Sequence, residues 1–541
     1  MIFNVIKKIT GIEKDANVKG AAGILKYAAD ILLYFAVFFY TVAVGVILPL
    51  YLPGYDTLGT DKGKFWIGEL KLCGIVLLPA IALYILCFIL KKSAKATVKK
   101  PKVYRTDIWA AIFIICVLIS FALSDEKQIA LYGERGWYTG TIAYLSIGIG
   151  VLVIPRLGKV KNYFCQVIMA ASFAICLIGI LMDFFGNIIN AEGWDTSRVS
   201  TIGNSNWFCG YLMTVMFTGV SAFFLGKEGK HRREKIYSAV IVIYLISVFY
   251  MMFAQGSASA YPAFWAAMLS LMIISGGDLK SLRRVWALFI ICMTCALAHA
   301  IYITSGGISR TNDLPGRMLE KPAFTAALLI VSLGLYLITD VLIKKGKRSV
   351  DFNPGIILTC LTLVASVIFV LLIIANTLSG VGYLGKEGSI FWFDYGWGSS
   401  RGATLSIGME IFRGMTPFEK LFGKGPDNFY SFLISGRLHE TAAKCTEYFG
   451  GARLTNSHSE PLTMLVNTGI AGTVSFYGLM ICVMLKGFRQ KSTVALACSL
   501  GILAYIINNI FSFQTSVNVS QLALVLGFGA WAASQDKAED R

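Results

Sequence analysis

Apolar runs of about 20 residues, the length that crosses a hydrocarbon core as a helix, recur along this chain from Ile24 to Trp531 with short polar breaks between them. Backbone N–H and C=O groups cannot stay unpaired in hydrocarbon, so such runs are helices or closed-barrel strands; their length and continuity exclude strands. The expected fold is therefore all-α, a polytopic integral membrane protein. Composition agrees, because 56% of the 541 residues are hydrophobic and only 15% charged, outside the balance of a soluble domain. We read one membrane domain over residues 1–541.

The runs place spans at 27–52, 66–90, 107–123, 139–154, 163–185, 205–225, 236–253, 259–275, 284–303, 321–343, 355–376, 459–485, 493–512 and 515–533. With these fourteen, basic loops alternate with acidic or mixed ones. Loop 91–106 holds Lys91, Lys92, Lys95, Lys99, Lys100, Lys102 and Arg105, and loop 226–235 holds Lys227, Lys230, Arg232, Arg233 and Lys235. Loops 155–162, 276–283, 344–354 and 486–492 are basic too, and all fall on the N-terminal side, which puts both termini in the cytoplasm by the positive-inside rule. The net charge of +18 thus reports orientation among membrane lipids, and no nucleic-acid partner is implied. Lys7, Lys8, Lys14 and Lys19 precede a first apolar run too long for a cleavable signal.

The opposite loops carry Arg135, Arg198, Arg310, Arg317 and one long insertion, 377–458. A structureless connection of that length is improbable inside a compact bundle, so a folded, functional element is expected there. Within it Thr404–Phe412 and Leu438–Phe449 read as short helices, and Trp392, Phe393, Tyr395 and Trp397 suit a membrane surface. Eleven of the twelve cysteines lie in or beside the apolar runs, Cys445 alone being in the loop, which implies no disulfide framework.

The stretch with most chemical content is Asn456-Ser-His-Ser-Glu-Pro-Leu-Thr-Met-Leu-Val-Asn-Thr-Gly-Ile-Ala-Gly472. It resembles the His-Asn/Ser-x-x-Leu…Gly-Ile-x-Gly signature of the bacterial O-antigen ligase and polymerase superfamily. Ser399-Ser-Arg-Gly-Ala403 and Leu421-Phe-Gly-Lys-Gly-Pro-Asp-Asn-Phe429 are similar to the course of that family's large loop. Gly133-Glu-Arg-Gly-Trp-Tyr-Thr-Gly140 resembles its early Arg-x-x-Gly segment, and Arg198 through Gly203-Asn-Ser-Asn-Trp207 its Gly-Asn-x-Asn helix start. Together the matches cover 131–487. One departure stands out: where many relatives read Ser-Arg-Gly-Ala, this chain has Ser257-Ala-Ser-Ala260 and lacks that Arg.

The resemblance implies an inverting glycan transferase of GT-C type that moves a glycan from an undecaprenyl-diphosphate carrier to an acceptor hydroxyl at the outer face of the bacterial cytoplasmic membrane. The acceptor, whether glycan, lipid, wall or protein, stays open. Such a transfer needs a group that takes the hydroxyl proton and a charge that stabilises the departing diphosphate. A neutral imidazole suits the first task and guanidinium the second. His458 and Arg401 are accordingly the candidate catalytic residues. Arg135, Arg198, Asn204, Asn206, Glu460, Gln255 and Arg317 are candidates for holding diphosphate or glycan, with Arg310 or Arg317 standing in for the missing Arg.

Each has a plainer reading. His458 can start the following span, Glu460 can orient His458 or favour the helix start, and Asn204 and Asn206 can cap a helix. Arg135 and Arg198 can pair with Glu134 and Asp195. His299 reads as a hydrogen-bonded packing residue, His439 as exposed, and His231 as one of a basic cluster. No Cys/His or Asp/Glu group has metal-ligand spacing, so neither metal nor cofactor is expected. A flippase or transporter is the competing class, but the span middles are nearly free of charge, with Asp30, Asp183 and Asp340 near span ends.

Overall fold

The computed structural model describes residues 20–93, 103–157, 163–189, 199–226, 231–311, 313–490 and 492–535. Among them no strand forms, and the one β contact is an isolated bridge between Asp278 and Ser349. Eleven helices are long and apolar enough to cross a membrane, with three shorter apolar helices between them. In chain order they are α1 Gly20–Leu50, α2 Leu58–Leu90, α3 Arg105–Leu123, α4 Thr141–Arg156, α5 Phe164–Phe185, α6 Ser205–Leu225 and α7 Arg232–Gln255. Then follow α8 Ala260–Ser275, α9 Leu279–Thr304, α10 Pro322–Lys344, α11 Pro354–Ser379, α12 Gly469–Phe488, α13 Thr493–Asn508 and α14 Ser516–Ser534. Each expected span overlaps one of these helices, and the chain is an all-α, multi-pass membrane protein. The shorter ones are α4, α8 and α13; at 16 residues, α8 and α13 rise about 24 Å, less than the hydrocarbon thickness.

Burial sorts the helices by their surroundings. α6 and α14 are enclosed, so α14 tolerates buried Asn518, Ser520 and Gln521. By contrast α2, α10 and α11 turn large apolar side chains outward, Leu72, Ile330, Leu337, Leu361 and Leu371 among them. In water so large an apolar surface would drive association, whereas against lipid tails it needs no partner.

One predicted boundary is corrected. The span expected at 459–485 divides into a short helix, Glu460–Asn467, and α12, which starts at Gly469. The reason is local: Gly469 has φ +69°, and a Cβ there would strike the Leu421 carbonyl and Gly423. Gly423, at φ +82°, has no room for a Cβ beside the Asn467 carbonyl. Only glycine allows these two backbones to meet. Gly469→Val is therefore expected to destabilise the protein by at least about 3 kcal/mol, read as a lower thermal unfolding midpoint in detergent, whereas Gly68→Ala, where a Cβ meets open space, should change it little.

The loops at one end of the bundle gather into a cap. Residues 380–468 contain helices Trp397–Arg413, Pro417–Phe422, Phe429–Leu433 and His439–Phe449 around a small core of Ile407, Ile411, Phe429, Phe432 and Val466. The expected helix at 404–412 lies inside the first of these, and the one at 438–449 matches the last apart from Leu438, which precedes it. The cap is tied to loop 124–140: Asn428 Nδ2 donates to Ser124 Oγ at 2.8 Å, Lys424 pairs with Asp125 at 2.8 Å, and Arg453 with Glu134 at 3.1 Å. At the other end, loops 276–283 and 344–354 meet where Leu279 N–H donates to the Arg348 carbonyl at 3.0 Å. All twelve cysteines are free, Cys445 buried in the cap. The N-terminal lysines and much of the basic loops around 94–102, 158–162 and 227–230 lie outside the described residues.

Candidate functional site

Backbone strain marks the cap end. Among the described residues, the non-glycine residues with left-handed φ are Tyr138, Ser200, Ser399, Ser400, Asp427 and His458, all at this end, Ser399 and Ser400 in the kinked first turn of helix Trp397–Arg413. Such conformations cost on the order of 1 kcal/mol or more each and persist where surrounding contacts hold them.

His458 is held this way. Its N–H donates to Asn456 Oδ1 at 3.0 Å, while Ser457 Oγ and Thr463 Oγ1, 2.9 Å apart, brace the turn. The imidazole meets the Phe513 ring edge to face, with centroids 4.9 Å apart, and its Nδ1 is buried without a hydrogen-bond partner. Burial, and then the Arg401 charge, push the imidazole down to about 4, so it is neutral at physiological pH.

Arg401 begins the regular part of helix Trp397–Arg413, directly after the left-handed Gly398, Ser399 and Ser400. Its Nε donates to the Phe511 carbonyl at 3.1 Å and its Nη1 to the Gly398 carbonyl at 2.9 Å. Tyr448 Oη fixes the preceding turn by donating to the Tyr395 carbonyl at 3.0 Å. The turn between α13 and α14 therefore joins the two candidates, with Phe511 on Arg401 and Phe513 on His458. Of the four aromatics expected at a membrane surface, Phe393 and Trp397 pack together at 5.6 Å, and Trp397 also reaches the Phe511 ring at 6.2 Å.

Beside this pair opens a cleft of about 520 Å³ lined by Asp56, Arg135, Trp137, Asn204 and Trp207. Trp137 and Phe513 stand between it and the imidazole, the Trp137 ring 5.5 Å from Trp207 and 5.1 Å from Phe513. Three separate sequence matches thus converge: the early Arg-x-x-Gly segment, the Gly-Asn-x-Asn helix start, and the His458 stretch. Arg135 is exposed at the cleft; Glu134 pairs with Arg453 rather than with Arg135. Asn204 caps α6, its Oδ1 accepting from Asn206 N–H at 2.8 Å and Trp207 N–H at 3.3 Å.

Other candidates sit elsewhere. Gln255 is fully buried at the end of α7. Asn206 Oδ1 accepts from Ser257 Oγ at 2.8 Å, Ser257 contacts Ser259 at 3.2 Å, and Ser259 donates to Asn508 Oδ1 at 2.9 Å. Ser257 and Ser259 are thus bound into a chain of side chains. Arg310 reaches the end of α7, where it donates to the Ala254 carbonyl at 2.9 Å, but its charge is matched by Asp183 at 2.6 Å. Arg317 is exposed on helix Leu314–Leu319, whose capping residue Asp313 is near enough to act on the Arg401 charge. Arg198 and Asp195 lie outside the described residues. Glu460 opens its short helix but is buried and bonded to Tyr505 and Gln514, not to His458. His299 corrects the expectation of a hydrogen-bonded residue: neither ring nitrogen has such a partner, and Glu320 Oε1 lies 4.0 Å from Nε2. His439 is exposed, as expected.

Sequence reasoning missed Trp137, Phe511 and Phe513. The available signal was the polar break Asn508-Asn-Ile-Phe-Ser-Phe-Gln-Thr515 between two apolar runs, whose length resembles any short turn. No family model matches this chain, and no curated protein does.

Proposed function

We propose that the protein transfers a glycan from an undecaprenyl-diphosphate carrier to an acceptor hydroxyl at the outer face of a bacterial cytoplasmic membrane. The observation that carries this reading is the meeting of a neutral, half-buried imidazole and a guanidinium over the 509–515 turn, beside an open cleft with aromatic walls. The similarity of the His458, Arg401 and Arg135 segments to the O-antigen ligase superfamily supports it.

In the reaction the imidazole accepts the acceptor's hydroxyl proton as that oxygen attacks the anomeric carbon. The bond from the anomeric carbon to the diphosphate oxygen breaks, and its electron pair leaves on the diphosphate. Arg401 stabilises that developing charge. In the free protein the Arg401 charge helps to hold His458 at a low pKa. A diphosphate paired with Arg401 cancels that contribution and makes the imidazole a better base when substrate is bound.

Purified protein in vesicles with undecaprenyl-diphosphate oligosaccharide tests the reading. Cleaved carrier, formed only with the protein and an acceptor glycan fraction from the same membrane, is the expected result. Movement of intact carrier between leaflets without cleavage would instead identify a flippase and end the transferase reading.

A further inference from the structure

Glu460 clamps the turn on which the site depends. Its N–H donates to the carbonyls of Asn509 and Ser512, both at 2.9 Å. Its Oε1 accepts from Tyr505 Oη at 2.9 Å and from Gln514 Nε2, and Gln514 in turn accepts from Tyr144 at 2.7 Å. Through these bonds the backbone and side chain of Glu460 together set where Phe511 meets Arg401 and where Phe513 meets His458.

Among the described residues no cation, neither Lys nor Arg, pairs with this carboxyl. Glu460 is 1% exposed, and its Oε2 makes no close hydrogen bond although the Asn509 amide is near enough to favour the charged form. The groups that face it are the phenols Tyr144 on α4, Tyr505 on α13 and Tyr477 on α12. From the cap comes Asp427, with Glu134 behind it already matched by Arg453. On the other side of Phe513 lies neutral His458 with Arg401. A chamber of about 20 Å³ lies among Glu460, Asn467, Asp427 and Tyr144, and Asn467 Oδ1 is likewise buried without a partner. That volume suits one water molecule, which can bond to both orphaned oxygens.

We propose that Glu460 is a positioning residue that works as a neutral carboxylic acid, holding one water in this chamber and fixing the 509–515 turn beneath His458 and Arg401. Its consequence for catalysis rests on the transferase reading, whereas its consequence for stability rests on the fold alone. Burial without a countercharge pushes the carboxyl up to about 7 against the lowering effect of its hydrogen bonds. Ionisation places a bare charge in the chamber, where its burial is costly, and opposes an anionic substrate.

The sign follows from the raised value. Between the ordinary Glu range near pH 4.3 and pH 7 the folded state keeps a proton that the unfolded chain has released, so stability falls as pH rises through this window and is level above it. Asp427, raised to about 6 by burial, adds to the lower part of the fall, and Asp427→Asn removes that share. Glu460→Gln keeps the Oε1 acceptor, offers an N–H in place of the acid O–H and cannot ionise.

The test compares thermal midpoints of the full chain in detergent from pH 5 to 8.5, and carrier release over the same range. Wild type is expected to lose stability between pH 5 and 7, with a smaller loss in Glu460→Gln. Between pH 6 and 8.5 the protonated fraction of a group at pKa 7 falls about thirtyfold. Wild-type release should fall in parallel while Glu460→Gln stays within about threefold of its value at pH 6. Two results overturn the proposal: a Glu460→Gln protein as impaired at pH 5 as Glu460→Ala, or one that keeps the wild-type stability fall. Should wild type release no carrier at any pH, the transferase reading fails and the thermal comparison alone decides on Glu460.

Discussion

Replacement of His458 by alanine is expected to slow carrier release by about 10²–10⁴-fold, the usual contribution of a positioned general base, while leaving the unfolding midpoint close to that of wild type. The imidazole is only half-buried and its Nδ1 bonds to nothing, so its loss strands no hydrogen-bond partner. Its backbone turn depends on Asn456, Ser457 and Thr463 rather than on the ring. Because His458 is held near 4 by burial and by Arg401, wild-type kcat/KM should show no acid limb attributable to this imidazole between pH 5 and 7. Arg401→Gln should also be slow, since the departing diphosphate loses its countercharge. In that variant the His458 pKa should rise toward the ordinary imidazole range, which histidine NMR can follow. A His458→Ala protein with wild-type release rates would remove the imidazole from the chemistry.

The second large effect concerns stability. Asp183 near the end of α5 and Arg310 in loop 305–321 form an ion pair at 2.6 Å whose side chains are 1% and 10% exposed. Removing Arg310 takes away the cation 2.6 Å from a buried carboxylate, a loss of about 3–5 kcal/mol for such a pair. Arg310→Met is therefore expected to lower the unfolding midpoint strongly, and it also removes the bond to the Ala254 carbonyl. The double variant Asp183→Leu/Arg310→Met should recover much of the loss, because two apolar groups carry no desolvation penalty. Additive losses in the double-mutant cycle would show that the two charges do not depend on each other. The same pairing matches the Arg310 charge inside the protein, whereas Arg135 and Arg317 are exposed at the cap end.

Parts of the site were legible in linear order. Arg401 begins a regular helix and Asn204 caps α6, as their sequence context suggests, since a cap or a turn is specified within a few residues. Asn204 shows this well, its Oδ1 occupied by the two N–H groups that follow it. The role of Glu460 was not legible. Its place beside His458 left two readings, orienting the ring or favouring the helix start; it does open its helix, yet its carboxyl binds Tyr505 and Gln514, 45 and 54 positions away. Arg135 and Glu134 likewise look like neighbours in sequence, while Glu134 selects Arg453.

What this sequence determined by itself was the solvent and the class of fold, because the length of an apolar run and the need to pair every backbone group in hydrocarbon are properties of local stretches. It also set the approximate positions of the helices and the existence of a folded cap. Only the tertiary structure decided that the 509–515 turn brings Phe511 to Arg401 and Phe513 to His458, that Glu460 lies behind that turn without a countercharge, and that Arg310 spends its charge on Asp183. Those outcomes depend on which helix ends pack side by side, and pairwise contacts and desolvation between distant segments leave no periodic trace along the chain.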